Sequence, residues 1–478
     1  MKLKKIAASL MAALMVLSLA ACGGNNGSGS SQEASEESKA ASETTEGSAA
    51  SEEGKPFAGQ TLKVAGLDGG YGTDGWKAVI AGFEELTGAK VEYQFEKNIA
   101  EVIRPQIAAG EGPDVIYNSI GGVGGLTETM IKEEMLLDIS DVFEMTVPGE
   151  TVKVGDKLIG GFLDTYNTKP YGDGKVYLAP LFYSPTGLWY NKAMFKENGG
   201  KYELPTTFDQ MLALGEQARA DGVSLLTYPT AGYFDGFTYA LINEVGGTVL
   251  FNKLMNYDVE AWKSEATPVF EIIGKLGAYL EPNTVAQANG EGFTKNQFAV
   301  MQNKALFMPN GNWIVGEMAD ALSKGGEGAE MAEGFEWGYM ALPAVSEGGD
   351  RYAYTFFEQC FVSKDAKNAD LAKAFIAYLY SDAAVKAFYE NGNALQPVVG
   401  AEEQITDPLM KAVYGVYATG AKPAMGGFAA APAVEGVVMS DALFTAIDSV
   451  MSGAKTAAEW QQGVVDAAQA LYNAVQAQ

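Results

Sequence analysis

The chain has 478 residues, 47% of them hydrophobic, with 33 Lys and Arg against 60 Asp and Glu for a formal charge of −27. That length exceeds what one core usually supports and predicts two domains, while the charge repels phosphate backbones and argues against a nucleic-acid partner. Histidine is absent, which removes the usual general base, the Ser-His and Cys-His nucleophile pairs and the commonest zinc ligand, so neither a metal nor a cofactor is expected.

The chain opens with Met1-Lys-Leu-Lys-Lys5, an apolar run from Ile6 to Ala21, and the tetrad Leu19-Ala20-Ala21-Cys22. The run is too short to cross a ~30 Å hydrocarbon layer and reads as an export signal. The tetrad resembles a bacterial lipoprotein signal, which implies cleavage after residue 21 and a lipid on Cys22; an ordinary signal peptide cut at Ala21 is the alternative. Gly23–Lys55 holds seven Glu against two Lys among Gly, Ser, Ala and Thr. Such a segment buries too little apolar surface to offset ordering entropy, so residues 22–56 are expected to tether the folded body to a membrane surface. Cys360 is the only other cysteine, which excludes a disulfide framework, and its apolar neighbours predict a small core residue.

From Phe57 onward the pattern is that of strands alternating with helices. Thr61–Leu67 reads as a buried strand, followed by the turn Asp68-Gly-Gly-Tyr-Gly72. Trp76, Val79, Ile80, Phe83 and Leu86 then form one helical face, with Asp74 as N-cap and Gly88 past the end. Val91, Tyr93 and Phe95 alternate as a strand, Ile99–Ala109 reads as a helix containing Pro105, and Pro113–Tyr117 is a third strand. This succession predicts a parallel sheet with helical crossovers. The pattern restarts with extended segments at Val176–Tyr183 and Gly187–Tyr190, separated by Ser184-Pro185. Thr207 and Gln210 have capping-box spacing ahead of a helix ending at Gly222. Strands are expected at Ser224–Thr227, Ala305–Met308, Glu336–Ala341 and Tyr352–Val362. Helices are expected at Phe237–Val245, Trp313–Leu322, Ala369–Tyr380 and Ala454–Gln478.

Tyr177-Leu-Ala-Pro-Leu-Phe-Tyr-Ser-Pro-Thr-Gly-Leu-Trp-Tyr-Asn-Lys-Ala-Met-Phe195, Ala305-Leu-Phe-Met-Pro-Asn-Gly-Asn-Trp313 and Val362–Phe375 together resemble signatures of the family 1 extracellular solute-binding proteins of carbohydrate ABC importers. The resemblance implies an α/β, two-lobed, type II periplasmic-binding-protein-like fold with three chain crossings, near Tyr183–Leu188, Ala341–Val345 and Asn391–Val398. One lobe would comprise 57–183 and 343–391, the other 184–342 and 392–478. It further implies a monomeric receptor that captures a neutral mono- or oligosaccharide in its cleft and delivers it to membrane permease subunits, outside the cytoplasm and without enzymatic activity. The Asp68–Gly72 and Pro309–Trp313 stretches look most like members that bind N-acetylglucosamine and its disaccharide.

A sugar presents apolar CH faces and a rim of hydroxyls, so its site needs aromatic rings beside amide, carboxylate or hydroxyl groups. Loops combining both types supply the candidates: Asp68 and Tyr71; Asn118; Tyr183 at the expected hinge; Tyr233, Phe234 and Asp235; Asn312 and Trp313; Glu358 in the Phe356–Glu358 segment; and Asn393. Core packing is the competing role for the aromatic residues, and turn capping for Asp68 and Asp235. Two other functions fit the same composition: a surface sensor using the same closing clamp, or a secreted glycoside hydrolase working with paired carboxylates.

Overall fold

A computed structural model describes residues 55–120, 122, 124–288, 292–325, 328–429 and 431–477. The signal segment, Cys22 and most of the tether lie outside the described residues. Among the described residues nine strands form the framework: β1 (Thr61–Leu67), β2 (Lys90–Glu96), β3 (Val115–Tyr117), β4 (Leu178–Asn191), β5 (Ser224–Leu226), β6 (Ala305–Gly311), β7 (Trp337–Met340), β8 (Tyr352–Val362) and β9 (Lys422–Ala424). Their order along the main path is β2-β1-β3-β8-β4-β6-β5, with β7 paired to β4 and β9 to β8.

The opening units follow their sequence pattern. β1 pairs in parallel with both β2 and β3, and the helix Asp74–Thr87 crosses over with Trp76, Val79, Ile80 and Phe83 buried. Thr73, not Asp74, is the N-cap residue. Asp74 instead begins the helix and pairs with Lys77 at 2.8 Å. Gly88 ends the helix at φ 74°, a left-handed conformation that glycine adopts without a Cβ clash. Thr207 caps the helix Phe208–Ala220 by accepting from the N–H of Gln210, but the Gln210 side chain reaches back to the N–H of Thr206.

The largest departure is at Ser184-Pro185, where one strand runs without a break. β4 is buried along all fourteen residues, and Ser184 and Pro185 pair with Phe356 and Thr355 of antiparallel β8. The disturbance expected of a proline falls earlier, as a register shift between Pro180 and Tyr183.

These two long strands join two hydrophobic cores. One core draws from residues 62–183 and 357–425, including Leu62, Phe83, Phe182, Phe375 and Leu395. The other draws from 188–354 and 424–471, including Phe208, Phe237, Trp262, Phe307 and Trp460. Core membership changes within β4 between Tyr183 and Leu188, within β8 between Tyr354 and Phe357, and at Ala424 and Met425. β8 itself carries side chains from one core to the other, and Leu395, Val398, Ile405 and Tyr414 still pack into the first core.

Candidate functional site

Alternation along β8 places Tyr354, Phe356 and Glu358 on one face of the strand, and the candidate residues collect along that row. At one end, the ring of Phe356 lies 6.0 Å from that of Trp313, which lies 6.0 Å from Tyr233. Trp313 is 36% exposed and Phe356 40% exposed. An apolar body fixed in place and still open to solvent is what a sugar face needs. The fixing comes from Gly311: a Cβ there would stand 2.0 Å from the Trp313 ring. The indole therefore folds back over bare backbone, and this explains the glycine in Asn310-Gly-Asn-Trp313.

Asp235 lies beside this wall, following Tyr233 at the start of the helix Phe234–Met255. Burial raises its carboxyl to about 6, opposed only by the Gly236 N–H that donates to Oδ1. No lysine or arginine pairs with it among the described residues. A buried carboxylate with spare lone pairs and no cation is a strong acceptor for hydroxyl donors. Asp235, Phe356 and Tyr354 line a cavity of about 520 Å³, which Ile120 and Gln359 border from one side and Phe428 from another.

Toward the other end of the row, Tyr117 donates to Glu358. Tyr117 is set in place by Trp76, whose ring is 5.1 Å away and which also meets Phe388 at 5.1 Å. Burial raises Glu358 above the ordinary carboxylate range. Tyr71 is held well above its ordinary value by burial first, then by Tyr414 and Glu358. Its phenol therefore stays protonated and can donate. Between the two ends runs a hydrogen-bonded chain: Ser184 donates to Asn312 Oδ1 at 2.8 Å, and Asn312 Nδ2 donates to the Tyr414 hydroxyl at 3.0 Å.

The structure thus brings Tyr71, Tyr233, Asp235, Asn312, Trp313 and Glu358 into one region. Asn312 spends both ends of its amide on Ser184 and Tyr414, which makes it a strut. Asp68, half-buried, lies at the end of β1. Asn393 is exposed and ends the helix Asp382–Gly392 at φ 51°, next to Gly392, where a Cβ would stand 2.6 Å from the Tyr71 carbonyl oxygen.

Three further candidates sit in packed or fully bonded positions. Phe234 is fully buried, packed 5.1 Å from Tyr228 and 5.1 Å from Phe237, and is a core ring. Tyr183 is 1% exposed, wedged between Phe162 at 5.5 Å and Tyr414 at 5.3 Å, where it backs Tyr414. Asn118, 3% exposed, donates to Thr127 Oγ1 at 2.9 Å, and that hydroxyl returns a bond to its carbonyl, so it pins the loop after β3.

Sequence reasoning did not single out Tyr354, Asn310 or Tyr414. The alternation of β8 pointed to Tyr354, and the Asn310–Trp313 motif contained Asn310. Tyr414 has no local signal, because its partner Asn312 is 102 residues away. A larger surface groove of about 810 Å³ runs past Tyr166, Val249 and Tyr472. It has no buried acid facing an aromatic wall, so the smaller cavity is the better candidate.

The sequence is 30% identical over 278 residues to the diacetylchitobiose binding protein NgcE of Streptomyces coelicolor, a stretch covering 55% of this chain and 55% of that protein. It is 28% identical over 407 residues to DasA of the same organism, also a diacetylchitobiose binding protein, covering 82% of this chain and 80% of the relative. Apo RafE from Streptococcus pneumoniae superposes with a TM-score of 0.60 at 19% identity, covering 86% of this chain and 97% of RafE. That likeness shows a common fold, two α/β lobes around a cleft. The family described as bacterial extracellular solute-binding protein matches residues 69–386, and the chain belongs to it.

Proposed function

We propose that the protein is the solute-binding component of an ABC importer and captures a neutral mono- or oligosaccharide between its lobes for delivery to membrane permease subunits. The observation that carries this reading is the half-exposed wall of Tyr233, Trp313 and Phe356 beside the uncompensated carboxylate of Asp235. Rings serve the CH faces, and the acid serves the hydroxyl rim. The diacetylchitobiose-binding relatives make N-acetylated glucose units the first choice of ligand. In this reading the lobes meet along β4 and β8, with 57–183 and most of 357–425 on one side and the remainder on the other. A binder without catalysis, anchored by a lipid on Cys22 at the outer face of the membrane and working as a monomer, completes the proposal.

Binding favours closure only by the difference in contact energy between closed and open forms. Micromolar affinity amounts to about −8 kcal/mol, within reach of stacked rings and a few charge-assisted hydrogen bonds. Isothermal titration with glucose, maltose, raffinose, N-acetylglucosamine and N,N′-diacetylchitobiose tests the proposal. Saturable heat is expected for at least one of them, and none for any would refute it.

A further inference from the structure

Behind the aromatic wall lies a niche of about 10 Å³, lined by Thr186, Tyr233, Asp235, Asn310 and Phe356 among others. Asn310 is 2% exposed. Its Oδ1 accepts from the N–H of Gly311 at 2.8 Å, while its Nδ2 is buried without a hydrogen-bond partner. An amide donor left without a partner costs free energy in a folded chain, so such groups are rare and call for an explanation. Thr186 is already committed, donating to the Tyr354 carbonyl at 3.1 Å. Among the groups lining this niche are an unused amide donor on Asn310 and the Asp235 carboxylate as acceptor, in a space about the size of one water molecule.

A hydroxyl accepts and donates at once, as the water molecule it would displace also does. We propose that Asn310 and Asp235 form a two-point clamp for one unsubstituted hydroxyl of the ligand, Asn310 donating to its oxygen and Asp235 accepting its proton. The inference rests on the sugar-binding reading and sharpens it. A niche this small has no room for a methyl ether, an acetamide or a further sugar unit. The clamp thus reads an end or edge of the saccharide that bears a free hydroxyl, and additional units extend the other way, into the 520 Å³ cavity that shares Asp235 and Phe356. Asn310 is then a specificity-determining residue.

The test is titration calorimetry of wild type, Asn310→Asp and Asn310→Ala against N-acetylglucosamine and N,N′-diacetylchitobiose, with their monodeoxy and mono-O-methyl derivatives. Asn310→Asp keeps an oxygen for the Gly311 N–H and removes the donor, but buries a second acid near Asp235; Asn310→Ala carries no such charge, and circular dichroism with thermal unfolding checks that each variant tested is folded. The clamp predicts a loss of about 10- to 100-fold in both variants. It also predicts one hydroxyl position where methylation abolishes binding to wild type, and where deoxygenation costs Asn310→Ala less than it costs wild type, because only the bond to Asp235 is left to lose. Unchanged affinity in both variants, or deoxygenation penalties that simply add to the mutation at every position, would overturn the clamp while leaving saccharide binding intact. Failure of wild type to bind any saccharide would overturn both.

Discussion

At the scale of single residues, two groups at the wall have roles that follow from their surroundings. Asp235 titrates at about 6 because burial disfavours its charge. Raised above its unfolded value, it contributes stability that is fully present below the ordinary aspartate range and lost as pH rises through about 6. Ligand binding has the opposite sign, since the ionised carboxylate is the stronger acceptor for the ligand's hydroxyl proton. Affinity should therefore fall as pH drops below about 6, and Asp235→Asn should flatten the affinity profile; a profile unchanged in the variant would release Asp235 from the site. Trp313→Ala should weaken binding by about 2 kcal/mol, roughly 30-fold, without a matching loss of stability, because the ring is partly exposed. Calorimetry and thermal unfolding together read both quantities. The wall itself was legible in the sequence because Asn310-Gly-Asn-Trp313 and Thr230–Asp235 each put aromatic and polar groups in one short loop. Phe234 turns into the core toward Tyr228, while its part-buried neighbours Tyr233 and Asp235 line the niche, a choice made by helix rotation and not by residue type.

Elements were legible where periodicity was strong and local. The helix beginning at Asp74 and the strands β1 and β8 follow directly from 3.6- and 2-residue repeats. The helix Phe234–Met255 shows the limit. The sequence marked Phe237–Val245, and the element in fact continues beyond a break where Gly246 and Gly247 leave helical geometry, Gly247 at φ 65°. Gly247→Ala should destabilise the protein by about 1 kcal/mol, seen as a lower urea midpoint with unchanged slope, and an equal midpoint would show that the break tolerates a Cβ. From sequence alone β4 reads as two segments, because proline signals a break. Here the neighbouring β8 supplies pairing partners on both sides of Pro185, information that only the fold contains. The strut from Ser184 through Asn312 to Tyr414 likewise links distant segments. Tyr414→Phe removes its last acceptor and should cost about 1 kcal/mol of stability in urea unfolding, with no change pointing to compensation elsewhere.

At the scale of the molecule, alternating strands and helices predicted parallel pairing in the first unit but said nothing of how the later segments return to it. The two-lobed plan came from the resemblance of three motifs. β8 returns between β3 and β4, and a strand that serves two cores has no boundary signal in its composition. With β4 and β8 as the shared axis, the lobes should draw together around a ligand. Small-angle scattering should show a smaller radius of gyration with saturating saccharide, and an identical profile would argue against closure. The account as a whole turns on where a saccharide lies, and a crystal structure of the complex with N,N′-diacetylchitobiose tests that most directly. It predicts a sugar ring face against the Trp313 indole with a hydroxyl on Asp235, and a saccharide bound instead in the groove beside Val249 and Tyr472 would contradict it.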